Sequence, residues 1–307
     1  MFPTLTVVTP SLNHGAFIGA AIDSARPTGD YRFEHIVVDA ASTDDTHAAL
    51  AARPHLTVLV RPELDSHEAL NFALTMAHGD VIGFLNADDR YEPGILDAVM
   101  AHFAANPETM LLCGGMRVFI GLDGRENDDE MFQHLEGADM RLELTFGNPG
   151  FNSWFFRRSL LLDLEGFRTR YRFAADRDLL LRAYARAKPV PLRQLAYHYR
   201  KHEGSRTMDP RGTNRHAMIM DHLAIIATQL TELWTEDPAM RRLLIEWDAL
   251  ERLKLFVRAM RYDQRRAPGA LLCVPWPLVP VALYRRSRWL RILRNGGHTA
   301  ALAEGSR

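Results

Sequence analysis

Short apolar runs alternate with segments of helical spacing through the first 120 residues. The runs "LTVVTP" (5–10), "FEHIVVDA" (33–40), "LTVLVRP" (56–62), residues 80–85 and "MLLCGGMRVFI" (110–120) are rich in β-branched and large apolar side chains and bounded by turn residues, which predicts five strands. Between them, "GAFIGAAIDSA" (15–25), "STDDTHAALAA" (42–52), "SHEALNFALTMAH" (66–78) and "EPGILDAVMAHFAAN" (92–106) repeat apolar positions at helical intervals. Ser, Thr and Asp open the second of these as N-cap residues, and Pro93 stands early in the fourth. Alternation at this spacing implies βαβ units and an α/β sheet with parallel strands. In open sheets of this kind ligands bind beyond the carboxyl ends of the strands, so the strand exits are where chemistry is sought.

The pattern weakens over 121–150, where "GLDGRENDDE" predicts a polar loop or hairpin tip. "FNSWFFRRSLLLDLEGF" (151–167) reads as strand then short helix, "RFAADRDLLLRAYARA" (172–187) as a helix with a charged opening, and "PVPLRQLAYHYRKH" (189–202) as a strand running into a basic loop. From about 213 onward the spacing is helical. This divides the chain into an α/β region over 1–210, with halves 1–120 and 121–210, and a helical region over 211–307.

The 307 residues are 47% hydrophobic and 24% charged with a formal net charge of −1, an ordinary globular composition without the basic field that nucleic acid requires. Cys113 and Cys273 both sit in apolar runs and read as buried thiols of a reducing compartment. The opening "MFPTLTVVTPSLN" lacks a basic n-region and an apolar h-region, which predicts no secretory signal and a cytoplasmic location. The apolar stretch 269–284 is interrupted by prolines and is short for a spanning helix. The following "RRSRWLRILR" (285–294) interleaves five arginines with Trp, Leu and Ile, as in a helix lying on a membrane surface or one packed on its own domain.

The first strand exits into "TPSLNHGAF", which has neither a glycine-rich dinucleotide turn nor a phosphate loop with Gly-Lys-Ser/Thr, arguing against nicotinamide enzymes and P-loop kinases. The second exits at Asp39, a carboxylate suited to a ribose hydroxyl or base N–H, or to a turn. The fourth exits at "NADD" (86–89), where clustered acids suit a hard divalent ion carrying substrate phosphates, or an acidic helix start.

Taken in order, "TPSLN", "VVDAASTDDT", "ALNFALTMAHGD", "NADD" and "GFNSWFFRRSLLLDLEGFRTRYRFAADRD" resemble the motifs of family 2 glycosyltransferases of the GT-A fold, over roughly residues 4–207. The resemblance implies a mostly parallel mixed sheet flanked by helices, with the helical C-terminal region as an extension. It further implies that Pro10, Ser11 and Asn13 shape a nucleoside pocket, that Asp39 holds the nucleobase, and that Asp65 lies in the loop over the nucleotide. In that loop His67 replaces a customary Gly. Asn86, Ala87 and Asp88 correspond to the D-x-D motif, with Asp88 as ligand to Mn²⁺ or Mg²⁺ and Asn86 a neutral replacement of the first carboxylate. Asp89 is implied as a supporting or helix-capping group.

By the same resemblance Asp176 is the catalytic base, with Asp178 ranked second, although Ala175 stands where an acid is customary. His202 and Arg206 would meet the diphosphate, with Arg200 behind them. From the residues alone, Asp176 and Asp178 equally suit a helix opening salt-bridged by Arg177 and Arg182. The implied activity is inverting transfer from a nucleotide-diphosphate sugar, UDP-sugar first, to a hydroxyl of a glycan or lipid-linked acceptor. The setting would be cell-surface polysaccharide assembly, with membrane contact through 285–294. Two rivals stay open: a sugar-phosphate nucleotidylyltransferase, for which "TPSLNHGAF" lacks the Gly-rich, Arg-containing loop, and a non-catalytic nucleotide-sugar-binding protein.

Overall fold

The strands over 5–11 and 81–84 are largely apolar without alternation because they are buried on both faces, as central parallel strands are, whereas the edge strand over 57–60 is exposed. The computed structural model describes residues 3–120, 131–132, 138–202, 213–234, 236–262, 265–288 and 290. Arg206, the acidic run 126–130 and the arginines at 291 and 294 lie outside these described residues. The chain divides into two compact units: residues 1–134, 150–169 and 186–202, and residues 135–149, 170–185 and 203–307. Region 1–210 draws on both.

The first unit holds one sheet. Its elements are β1 (Leu5–Ser11), α1 (Ile18–Ser24), β2 (Phe33–Asp39), α2 (Thr46–Ala51), β3 (Thr57–Val60), α3 (Ser66–Met76), β4 (Val81–Phe84), β5 (Arg90–Tyr91), α4 (Ile95–Ala105), β6 (Leu111–Ile120) and β7 (Met131–Phe132). After α5 (Ala138–Phe146), which belongs to the second unit, come β8 (Trp154–Arg157), α6 (Arg158–Asp163) and, beyond α7 (Ala175–Arg186), β9 (Val190–Lys201). The strand order is β3-β2-β1-β4-β8-β6-β9-β5, with β7 on β6. Pairing is parallel across β3-β2-β1-β4 and antiparallel on both sides of β8. The register β1–β2 sets Ser11 opposite Asp39, so both strands release the chain at the same edge. β1 pairs with β4 as far as Val8 and Phe84, which brings the "NADD" segment to that edge as well.

Several residues of the ordered motifs are clamps. Asn71 on α3 accepts from Phe167 N and donates to Phe167 O, both at 2.8 Å. Gly166 adopts φ +64, and a Cβ there would fall 2.4 Å from the Asn71 amide oxygen, so Asn71, Gly166 and Phe167 form one fitted unit. Asp80 accepts from Thr4 N at 2.8 Å, while Thr4 Oγ1 accepts from Asp80 N at 3.0 Å, tying the start of β4 to that of β1.

The second unit is helical: α5, α7, α8 (Thr213–Glu232), α9 (Pro238–Tyr262), α10 (Ala267–Leu272) and a helix over 279–288. The sequence pattern misses α5, whose short span carries a weak apolar stripe. Among the described residues no helix is long and apolar enough to cross a membrane. Neither cysteine is in a disulfide; Cys113 is buried as expected, but Cys273 is exposed, because it stands at the turn that ends α10.

Candidate active site

At the edge where β1 and β2 end, the two exit loops are bound to each other. Asp39 turns inward and accepts from Ser42 N at 2.8 Å and Ser42 Oγ at 2.6 Å, with His47 Nε2 at 3.4 Å. Ser42 Oγ accepts from Asn13 N, and the Asn13 amide oxygen accepts from Thr43 N, both at 2.8 Å. Asn13 and Ala41 both sit at positive φ, near 60°, a conformation Asn tolerates and that Ala adopts only when its surroundings fix it. Ser42 and Thr43 therefore tie the loops together rather than cap α2, as their position in the sequence suggests. Asp44 accepts from Gly15 N at 2.9 Å, and a Cβ on Gly15 would stand 2.9 Å from Thr46 N, so only glycine allows the loops this approach. Ser11 Oγ is buried beside this network with no partner among the described residues.

The β4 exit is built differently. Asp89, fully buried, accepts from Asn86 Nδ2 at 2.9 Å, Tyr197 Oη at 2.7 Å and Arg200 N at 2.6 Å. Tyr197 Oη in turn accepts from Asn86 N at 3.1 Å and Asn152 Nδ2 at 2.9 Å. Burial, reinforced by the neighbouring Asp88 charge, raises the Asp89 carboxyl well above the usual range, against the pull of its three donors. Asp89 is thus the post on which the turn is hung, joining β4 to β9, and it caps no helix.

Asp88 faces outward from that turn, its side chain 16% exposed, with His202 Nε2 3.1 Å from its Oδ2. The Asp88 carbonyl accepts from Arg200 Nε at 2.8 Å. Phe17 walls this corner: its ring lies 4.9 Å from the His202 ring and 5.0 Å from the Arg200 guanidinium. His14 feels the charges of Asp88, His202, Asp44 and Asp39 together, which places it between the two exits; burial holds its pKa below the ordinary value. Among the described residues no three acids, histidines or cysteines form a ready metal cage. A single outward-facing carboxylate suits Mg²⁺ or Mn²⁺, which take few protein ligands when carried by a diphosphate.

Asn86 answers why an amide replaces a carboxylate here: its Nδ2 must donate to buried Asp89, which a carboxylate cannot do. Ala87 packs in the core with Ile18, Ile22, Val37 and Leu50, so its side chain is turned from any ligand. Asp65 forms a capping box on α3, accepting from His67 N and Glu68 N while Glu68 accepts from Asp65 N. Pro10 is half-buried at the end of β1. Asn13, Asp39, Asp88 and His202 are thereby gathered at the strand exits, while Asp65 is engaged at the start of its helix.

Asp176 and Asp178 open α7 in the second unit. Asp178 is fully buried, accepting from Arg182 Nε at 2.7 Å and Gln229 Nε2 at 3.0 Å. Asp176 is partly exposed and accepts from Arg177 N at 2.7 Å. The Arg177 guanidinium is turned to the end of α5, donating to the carbonyls of Thr145 and Gly147 at 3.0 and 2.7 Å beside the Trp247 ring. The expected pairing of the helix opening thus holds for Arg182 with Asp178, whereas the Arg177 guanidinium caps a neighbouring helix.

Sequence spacing alone misses Tyr197, Asn152 and His14. The first two act from distant strands, and His14 lacks any ligand-like spacing to mark it.

The loops after β1, β2 and β4 converge on one edge of a mixed sheet, the place where open α/β sheets take ligands. The model for "Glycosyl transferase family 2" matches residues 6–162, just over half of the chain, and the chain belongs to that family. An uncharacterized glycosyltransferase of Mycobacterium tuberculosis is 29% identical over 198 residues, 62% of this chain and 72% of the relative. A PGL/p-HBAD biosynthesis glycosyltransferase of the same organism is 30% identical over 191 residues, 60% of this chain and 70% of the relative. TarS 1–349 of S. aureus, solved with UDP-GlcNAc, superposes with a TM-score of 0.67 at 20% identity, covering 97% of this chain and 92% of TarS 1–349. The mannosyltransferase PcManGT of Pyrobaculum calidifontis, solved with GDP-Man and Mn²⁺, superposes at 0.55 and 17% identity, covering 96% and 86%. These likenesses establish the GT-A fold with a helical C-terminal region.

Proposed function

We propose that this protein is a metal-dependent, inverting glycosyltransferase that moves a sugar from a nucleoside-diphosphate sugar to a hydroxyl of a glycan or lipid-linked acceptor. The reading is carried by one observation: in a family 2 chain, the Asn13–Ser42–Asp39 network and the Asp88–His202–Arg200 corner converge on one edge of the sheet. The first is a polar surround for a nucleoside. The second offers a carboxylate, an imidazole and a guanidinium, which suit a metal-bound diphosphate.

Asp88, with His202 alongside, would hold Mn²⁺ or Mg²⁺, whose charge offsets that of the departing diphosphate when bound. Asp176 acts as general base. It accepts the proton of the acceptor hydroxyl as that oxygen bonds to the anomeric carbon and the bond to the diphosphate breaks. Attack opposite the leaving group inverts the anomeric centre. Asp178, committed to Arg182 and Gln229, holds the helix that bears Asp176. UDP-sugars are the first donors to try, and hydroxyls of glycans or lipid-linked glycans the first acceptors.

A thermal-shift panel of UDP, GDP, dTDP and CDP sugars with and without Mn²⁺ tests the reading. One nucleotide should raise the melting temperature and do so more with metal, by mass action. No stabilisation by any member would refute it. A non-catalytic binder would instead be revealed if Asp176→Asn changed no measurable activity of the protein on the stabilising donor.

A further inference from the structure

The proposed chemistry leaves one feature of the second unit unused. Over residues 252–294 the sequence carries eleven Arg and Lys against the single acid Asp263, in a chain whose formal net charge is −1. Three of these cations face acids of α9 just outside that span, Arg252 with Asp248, Lys254 with Glu251 and Arg285 with Glu246, and the positive excess that remains points to an anionic partner.

The same region exposes large apolar side chains. α10 packs on α9, and the turn that follows it sets Trp276 edge-on to Phe256 of α9 at 5.8 Å. This brings Leu271, Leu272 and Trp276 to the end of α9, where Val257, Met260 and Tyr262 are also exposed. Leu272 is 87% exposed and Trp276 44%, values that isolated surface residues seldom share with apolar neighbours. Arg261, Arg265 and Arg266 are exposed in the same stretch, and Arg288 is exposed on the helix over 279–288. Proline at 275 and 277 brackets Trp276 in a short 3₁₀ turn, giving a stiff apolar tip.

We propose that this C-terminal surface docks on an anionic lipid bilayer. Leu271, Leu272 and Trp276 would insert at the headgroup level while Arg261 and Arg265 meet lipid phosphates. Three properties favour a bilayer over a protein partner: positive charge predominates, arginine dominates it, and a tryptophan stands among the exposed leucines. Shallow interfacial insertion combines these same features. Arg285 and Arg286 are left out of the contact: Arg285 pairs with Glu246 at 2.9 Å, and Arg286 donates to the Phe146 carbonyl. The docking stands apart from the glycosyl-transfer reading and survives if that reading fails.

Vesicle co-sedimentation of the full chain tests it, with phosphatidylcholine vesicles alone and mixed with phosphatidylglycerol. The wild-type chain should partition at least about tenfold more strongly to the anionic vesicles, and added salt should weaken the binding. Leu272→Glu with Trp276→Ser should lower partitioning about tenfold. Arg261→Glu with Arg265→Glu, at exposed positions where folding is unaffected, should do so too, and both variants should keep the wild-type melting temperature. Equal binding to neutral and anionic vesicles would overturn the proposal. So would binding unchanged in the Arg261→Glu, Arg265→Glu variant. Sedimentation equilibrium showing a dimer lost in the Leu272→Glu, Trp276→Ser variant, without vesicle binding, would assign the surface to a second copy of the chain instead.

Discussion

Replacing Tyr197 by Phe removes one hydroxyl and keeps the ring, so it isolates the network that holds the β4 exit. That hydroxyl donates to Asp89 at 2.7 Å and accepts from Asn86 N at 3.1 Å and Asn152 Nδ2 at 2.9 Å. The residue is fully buried, and so is Asp89, so water cannot freely replace what is lost. Asp89, with its pKa pushed up to about 8, is a neutral carboxyl near pH 7; a hydrogen bond between neutral groups contributes about 0.5–1.5 kcal/mol, and a stranded buried donor costs about 1–3 kcal/mol. Asn152 is partly exposed and can turn to another partner, so its loss is discounted. The expected cost is about 2–4 kcal/mol, which for a domain of this size lowers the melting midpoint by roughly 4–16 °C. Urea unfolding measures it directly, with an unchanged slope expected because the ring still fills its place. Nucleotide affinity should fall alongside, since Asn86 and Asp88 share the turn. A loss under about 1 kcal/mol would refute the claim that Asp89 and Tyr197 hold that turn.

Other substitutions separate scaffold from chemistry. Asn86→Asp restores the family's usual acid but loses the donor to Asp89 and adds a like charge beside it; about 2–4 kcal/mol of stability should be lost in urea unfolding, with no gain in metal-dependent binding. Asp178→Ala breaks a buried ion pair and should cost about 3–5 kcal/mol, whereas Asp176→Asn should leave the melting temperature nearly unchanged and abolish transfer while nucleotide binding survives. His35 is buried against Thr9, and burial pushes its pKa down to about 3. Because its folded pKa lies below the unfolded value near 6.5, the unfolded chain binds the extra proton between the two. Stability should therefore fall as pH drops through that window, by up to about 1.4 kcal/mol per unit. His35→Leu should flatten this dependence in urea midpoints taken near pH 7 and pH 5; an equal slope in both proteins would contradict it.

The alternation of strands and helices was legible because apolar strands bounded by turn residues leave a period that needs no tertiary information. The exits of β1, β2 and β4 followed from it. What could not be read is how neighbouring exits divide their labour. Asp88 and Asp89 are adjacent acids in the sequence, yet one faces outward and the other is buried under Tyr197 and Arg200, more than a hundred residues away. Only the pairing of distant strands decides that. α5 was missed because nine residues with a weak apolar stripe carry little signal without their cap, and that cap, Arg177, comes from α7. The motif residues Asn71, Gly166 and Asp80 signal the family strongly although their work is mechanical, holding loops and strands together.

The central claim is that Asp88 holds a metal-bound nucleoside diphosphate at the β4 exit. Calorimetric titration of UDP into wild-type protein and Asp88→Ala, each with and without Mn²⁺, tests it most directly; if the donor panel favours another nucleotide, that diphosphate takes the place of UDP. The account predicts that Mn²⁺ tightens binding to the wild type, that Asp88→Ala weakens the metal-assisted affinity at least about tenfold, and that the two proteins bind alike without metal. Equal affinities for both proteins in the presence of Mn²⁺ would contradict it.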